Sequence, residues 1–139
     1  MTQIARYAYV LLAVAFTFGV VVQVMLAGMG LFVDVTPRGG PSFAMHVAIG
    51  WMLHLAPVLI VVAALLSRAG RRHWIWALAL ALVVFLVPMV VIMRDQMPLV
   101  AATHPVLAAL AFGLAIMVVR NSIIALRLGS DVGATRTAA

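Results

Sequence analysis

Apolar positions along the chain fall into four long runs, at residues 5–32, 42–67, 73–93 and 99–126. None shows the strict alternation of a half-buried strand. The runs are separated by clusters rich in Arg, Gly, Pro and Asp: Asp34, Pro37, Arg38, Gly39, Gly40 and Pro41 in the first break, Arg68, Gly70, Arg71 and Arg72 in the second, Arg94, Asp95 and Pro98 in the third. Such residues end helices or sit poorly in lipid. A helix crosses the roughly 30 Å apolar layer of a bilayer with about 20 residues, whereas a barrel strand needs only about 9–11. Every run is longer than a barrel strand, so the pattern predicts an all-α fold, an integral membrane four-helix bundle. Short connections make successive helices antiparallel, in up-down-up-down order. Ser42 is the expected N-cap of the second helix. Residues 129–139 read as a small, polar, disordered tail, leaving 1–128 as one transmembrane domain.

Composition agrees with this pattern. Apolar residues make up 67% of the 139, and 9% are charged. A soluble domain of average composition carries about a quarter charged residues, so this chain lacks the polar surface to cover a water-soluble body. The first run has an apolar stretch about twice the usual length of a signal-peptide core and is read as a retained helix. The nine basic residues against three acidic ones give a net charge of +6. In a soluble protein that excess would suggest nucleic acid, but here the arginines sit at the ends of apolar runs and set orientation instead. Arg6, Arg68, Arg71, Arg72, Arg120, Arg127 and Arg136 fall at one end of the bundle, and Arg38 and Arg94 at the other. The positive-inside rule then places both termini in the cytoplasm, with the chain multi-pass in the inner (plasma) membrane. With no cysteine, thiol–disulfide chemistry, iron–sulfur clusters, thiolate zinc sites and covalent c-type haem attachment are excluded.

Histidines are the main candidates for chemistry. His73, beside Arg72 and Trp74 at the start of the third run, reads as an ordinary interfacial residue. His46 lies four residues past Ser42 and His104 six past Pro98, so both sit roughly 6–9 Å below the same end of the bundle. The second and fourth helices of an up-down bundle are parallel and diagonal, and both imidazoles can face the axis. That is the arrangement of a haem iron with His at both axial positions. Gly50, one turn below His46, and Ala108, one turn below His104, leave space beside the rings. Gln23 adds an amide to a stripe of small residues, Gly19, Ala27 and Gly30, on the first helix. Arg38 and Arg94 are placed to neutralise haem propionates. Small stripes also serve close helix packing, and a membrane histidine also serves as a hydrogen-bond partner across a bundle. Still, ionisable groups inside a membrane usually mark function. His54 stands two turns below His46 with no histidine at its depth; a proton-accepting or quinone-contacting role, a bond to Gln23, and a bond to a carbonyl freed by Pro57 are its open readings. Pro57 and Pro88 are expected to kink their helices, and Pro105 to mark a first helical turn with Thr103 as cap. Most methionines read as packing.

The segments QVMLAGMGLF at 23–32, FAMHVAIG at 43–50 and HPVLA at 104–108 resemble one four-helix half of the heme A synthase family and small four-span proteins related to it. The resemblance covers about three of the four runs. In that family each half-bundle carries a His on its second and fourth helices that can ligate haem iron, which implies His46 and His104 as metal ligands here. The family's enzyme has eight spans and an acidic residue taking part in haem oxidation, whereas this chain has one bundle and no Glu. The resemblance therefore implies haem binding, with haem b as the expected cofactor, or a scaffold derived from it, rather than heme A synthase activity. The expected function is a bis-His membrane cytochrome in electron transfer or haem carriage. Its expected partners are the lipid bilayer, a larger membrane redox complex or a homodimer, and quinone. The alternative is a cofactor-free accessory subunit of a larger membrane complex. A small multidrug-type exporter would need a membrane-embedded carboxylate, and Asp34, Asp95 and Asp131 all lie outside the apolar runs.

Overall fold

In a computed structural model, residues 2–34 and 40–137 are described, with side chains described as far as residue 128. Helices form at Thr2–Phe32 (α1), Gly40–Leu66 (α2), Arg71–Ile92 (α3), Pro98–Ala101 (α4) and His104–Thr137 (α5), with no strand among the described residues. Four segments are long and apolar enough to cross a membrane: α1, α2, α3 and the stretch Pro98–Leu128. Most large apolar side chains, Phe18, Val24, Met52 and Phe85 among them, point away from the bundle. A helix that is apolar all round has no polar face to give to water.

The fourth run is broken. Pro105 has no N–H to bond back to Ala101 and so cannot continue the α4 ladder, and the chain leaves α4 at Ala102 and Thr103 and restarts at His104. The hydroxyl of Thr103 donates back to the carbonyl of Val100 (2.6 Å) instead of capping α5, contrary to expectation. The start of α2 also differs from expectation. Ser42 lies inside the helix, and its backbone N–H donates to Asp34 Oδ2 across the connection (2.7 Å). Asp34 thus satisfies one of the helix's open donors, as a capping residue would. The Ser42 side chain first, and then this main-chain bond, hold the Asp34 carboxyl below its ordinary range. Gly40 has a positive φ of 61°, and a Cβ there would meet the Asp34 side chain, so the chain can turn this closely only with glycine. At the other end, α5 continues to Thr137, through most of the stretch read as a disordered tail. No proline follows Pro105 to stop it.

Each long helix packs on two neighbours. The circular order is α1, α2, α3, α5, with α2 and α5 on one diagonal. At one end lie the chain termini and the α2–α3 turn, which Arg6 ties together by donating from Nε to the Ser67 carbonyl (3.2 Å). At the other end lie the α1–α2 connection and the α3–α4 turn. The two halves pack differently. In the terminal half, Tyr9, Ala13 and Phe16 of α1, Ile60, Ala63 and Ala64 of α2, Ala77, Leu80 and Val84 of α3, and Ala111, Ala115 and Val118 of α5 form one buried cluster. Alanines at these positions let the backbones approach closely. In the loop half, only Leu26, Gly30 and Ser42 are fully buried among the described residues.

Candidate functional site

The two histidines on the diagonal meet in the loop half. Ring centroids of His46 and His104 are 6.4 Å apart, with the ring planes at 73°. Each imidazole is held through Nδ1 by a backbone carbonyl of the preceding long helix: His46 on Gln23 O of α1 (3.0 Å), His104 on Val87 O of α3 (3.0 Å). A carbonyl only accepts, so Nδ1 must carry the proton in both rings. In the neutral imidazole that leaves Nε2 with its lone pair free, and no described residue donates to it. Metal-ligating histidines are typically oriented by just such a bond on the other ring nitrogen.

A metal ion held by both rings would be bound through the two Nε2 atoms, since each Nδ1 is engaged by a main-chain carbonyl. The described residues contain no group of three or more His, Cys, Asp or Glu that could hold a bare metal ion. A two-imidazole set instead suits an iron whose other four positions are filled by a macrocycle.

Neighbouring residues fix the rings. Phe43, one turn before His46, sets its ring edge-on at 6.0 Å between centroids. Phe43 in turn lies over Gly30 of α1, where a Cβ would overlap its ring. Gly30 was expected to clear space for a ligand; it clears space for Phe43. Gly50, expected to leave room beside His46, faces the Gln23 amide: a Cβ there would lie 3.8 Å from Oε1 and 3.9 Å from Nε2, an ordinary contact. Gln23 Nε2 is buried without a partner. Ala108 is half-buried below His104, as are both histidines.

Other expected participants stand apart. Arg94 is exposed in the α3–α4 turn and pairs with Asp95 at 3.7 Å; Arg38 lies outside the described residues. His54 makes no bond to Gln23. Its ring lies 5.3 Å from that of Phe85 and 5.9 Å from that of Trp51, which gives it aromatic packing in place of a carbonyl freed by Pro57. Sequence reasoning missed the carbonyls of Gln23 and Val87, since a backbone acceptor leaves no trace in residue type. The pairing of Phe43 with Gly30 had a signal, an aromatic and a glycine at corresponding depths on adjacent helices.

The sequence profile of a family of unknown function (DUF6220) matches residues 23–94, more than half of the chain. The matched segment takes in Gln23, Gly30, Phe43, His46, Gly50 and Val87 and ends before His104. No curated protein and no solved structure matches.

Proposed function

We propose that this chain, which belongs to the DUF6220 family, is a multi-pass protein of the inner membrane that binds haem b through His46 and His104. The observation that carries this reading is the facing pair of imidazoles, 6.4 Å apart and each oriented through Nδ1 by a main-chain carbonyl. A bis-imidazole haem supplies one-electron redox chemistry with no open coordination position, which suits electron transfer or haem carriage. The residues' part is orientation. Gln23 O and Val87 O fix the tautomer and rotation of the rings. The arginine bias, with Arg6, Arg68, Arg71, Arg72, Arg120 and Arg127 at the terminal end, supports cytoplasmic termini and a site towards the opposite face.

The test is the reduced-minus-oxidised absorption spectrum of the full chain purified in mild detergent after growth with added haem precursor. A sharp α-band and Soret band, lost in both His46→Ala and His104→Ala, are expected. A colourless wild-type protein that is folded and carries the same mass would sink the haem reading and favour an accessory subunit.

A further inference from the structure

The terminal end of the bundle carries a second polar layer, contributed by every long helix and separate from the His46–His104 pair. It comprises Arg6 and Tyr9 of α1, Ser67 after α2, His73 of α3, and Asn121 and Ser122 of α5. Tyr9, Ser67 and Ser122 are fully buried, Asn121 is 2% exposed and His73 6%. Buried polar groups need partners, and most of these have them inside the chain. The Tyr9 hydroxyl donates to the His73 carbonyl (3.2 Å), Ser67 Oγ to Ala64 O (2.7 Å) and Ser122 Oγ to Val119 O (2.7 Å).

Two atoms do not. His73 Nδ1 and Asn121 Nδ2 are both buried without a partner. They belong to adjacent helices, and the His73 imidazole faces the main chain of Asn121. Their chemistry is complementary to one kind of third participant. Asn121 Nδ2 can only donate, while His73 Nδ1 accepts when the ring proton sits on Nε2. The charged groups acting on the imidazole, Arg6 and Arg72, are donors only and cannot serve the asparagine. No described carboxylate lies at this end, since Asp34 and Asp95 belong to the opposite connections.

We propose that His73 and Asn121 bind an internal water molecule, which accepts from Asn121 Nδ2 and donates to His73 Nδ1. The bound water completes the polar layer and joins α3 to α5 where the main cluster of apolar packing ends. The inner end of the bundle is then hydrated at one defined point. A buried water of this kind typically makes two to four hydrogen bonds and is costly to remove.

Solid-state NMR of the full chain in lipid bilayers, with 15N-labelled histidine and asparagine, tests this directly. The expected result is an unprotonated Nδ1 on His73 and water cross-peaks to both the His73 ring and the Asn121 side-chain amide. A protonated Nδ1, which would suit a bound anion such as chloride, or the absence of water cross-peaks overturns the proposal. Thermal unfolding in detergent gives a second arm. If a water bridges the pair, His73→Phe and Asn121→Leu each lower Tm, by roughly 3–8 °C, and the double variant loses less than the sum. If the site is dry, either single substitution removes an unpaired polar group and raises Tm, which also overturns it. The NMR arm uses the unaltered chain and stands whether or not the variants fold.

Discussion

Replacing Gly30 by alanine should damage the His46 side of the site, although the change adds one methyl group to a helix. A Cβ at position 30 would lie 2.7 Å from Phe43 Cε2 and 2.9 Å from Cγ, with Cδ2 closer still. Carbon atoms pack at about 3.5–4.0 Å, so the Phe43 ring must retreat by about 1 Å or more, and it is a ring, with no flexible end to swing aside. Overpacking of this kind costs about 1–3 kcal/mol, against a gain of about 0.5–1 kcal/mol from exchanging glycine for alanine inside a helix. Two other glycines supply internal controls. A Cβ at Gly28 meets nothing within 4 Å, and one at Gly50 stands 3.8 Å from the Gln23 amide, an ordinary contact. Gly28→Ala and Gly50→Ala should therefore be neutral or stabilising. Gly30→Ala should unfold roughly 4–12 °C below Gly28→Ala, taking about 4 °C per kcal/mol for a chain of this size. The assay is thermal unfolding of the three variants in one detergent. Because Phe43 stands 6.0 Å from His46 between ring centroids, Gly30→Ala should also broaden or weaken the absorption bands expected of the proposed haem, which Gly28→Ala should leave intact. Equal Tm values for the three variants would refute the packing argument.

Other expectations rest on single bonds. Asp34→Ala removes the acceptor of the Ser42 N–H and should lower Tm at neutral pH. The folded Asp34 carboxyl titrates below its unfolded value of about 3.9 because Ser42 bonds its ionised form; the stability it adds is therefore present above about pH 4 and lost as pH falls through the folded value. An acid titration of unfolding should show that loss in the wild type and less of it in Asp34→Ala. Tyr9→Phe deletes the 3.2 Å bond to the His73 carbonyl and should cost about 1 kcal/mol, read as a lower Tm. Ala115→Leu forces a branched side chain into a position 1% exposed and should destabilise by about 1–3 kcal/mol, measured by the same unfolding assay.

Much of the architecture was legible because apolar run length and arginine placement are one-dimensional signals. The breaks before α2, at Gly70 and before Pro98 could be read directly, and the ring order of the helices followed from short connections. The shared depth of His46 and His104 came from counting residues at 1.5 Å each, and their meeting depended only on α2 and α5 lying on a diagonal. What escaped were features that depend on the main chain or on a partner's shape. Asp34 replaced Ser42 as the group serving the start of α2, because the close turn at Gly40 brings a residue from the end of α1 within bonding distance. At Gly30 the ring of Phe43 from the adjacent helix leaves no space for a Cβ, while Gly50 faces the Gln23 amide at ordinary contact distance. His73 looked ordinary by position. Its burial against Asn121 could not be seen without knowing that the two helices face each other at that level.

The two halves of the candidate site are built in the same way. In the pair α1 and α2, the histidine of the second helix bonds a carbonyl of the first; in the pair α3 and α5, the histidine again bonds a carbonyl of the preceding long helix. Each ring is thus oriented within its own helix pair before the pairs meet. The separation of 6.4 Å between rings, however, is set between pairs, and few fully buried side chains in the loop half hold it. The close-packed cluster around Ala63, Leu80, Ala115 and Val118 in the terminal half fixes how the four helices align, and the separation should follow that alignment. A helix displaced at that cluster carries its histidine with it, as the far arm of a lever. Substitutions that loosen the terminal half should therefore weaken the site, although they lie well removed from either imidazole along the helices. Substitutions at the exposed Arg94–Asp95 turn, much closer in sequence to His104, should leave the ring geometry intact.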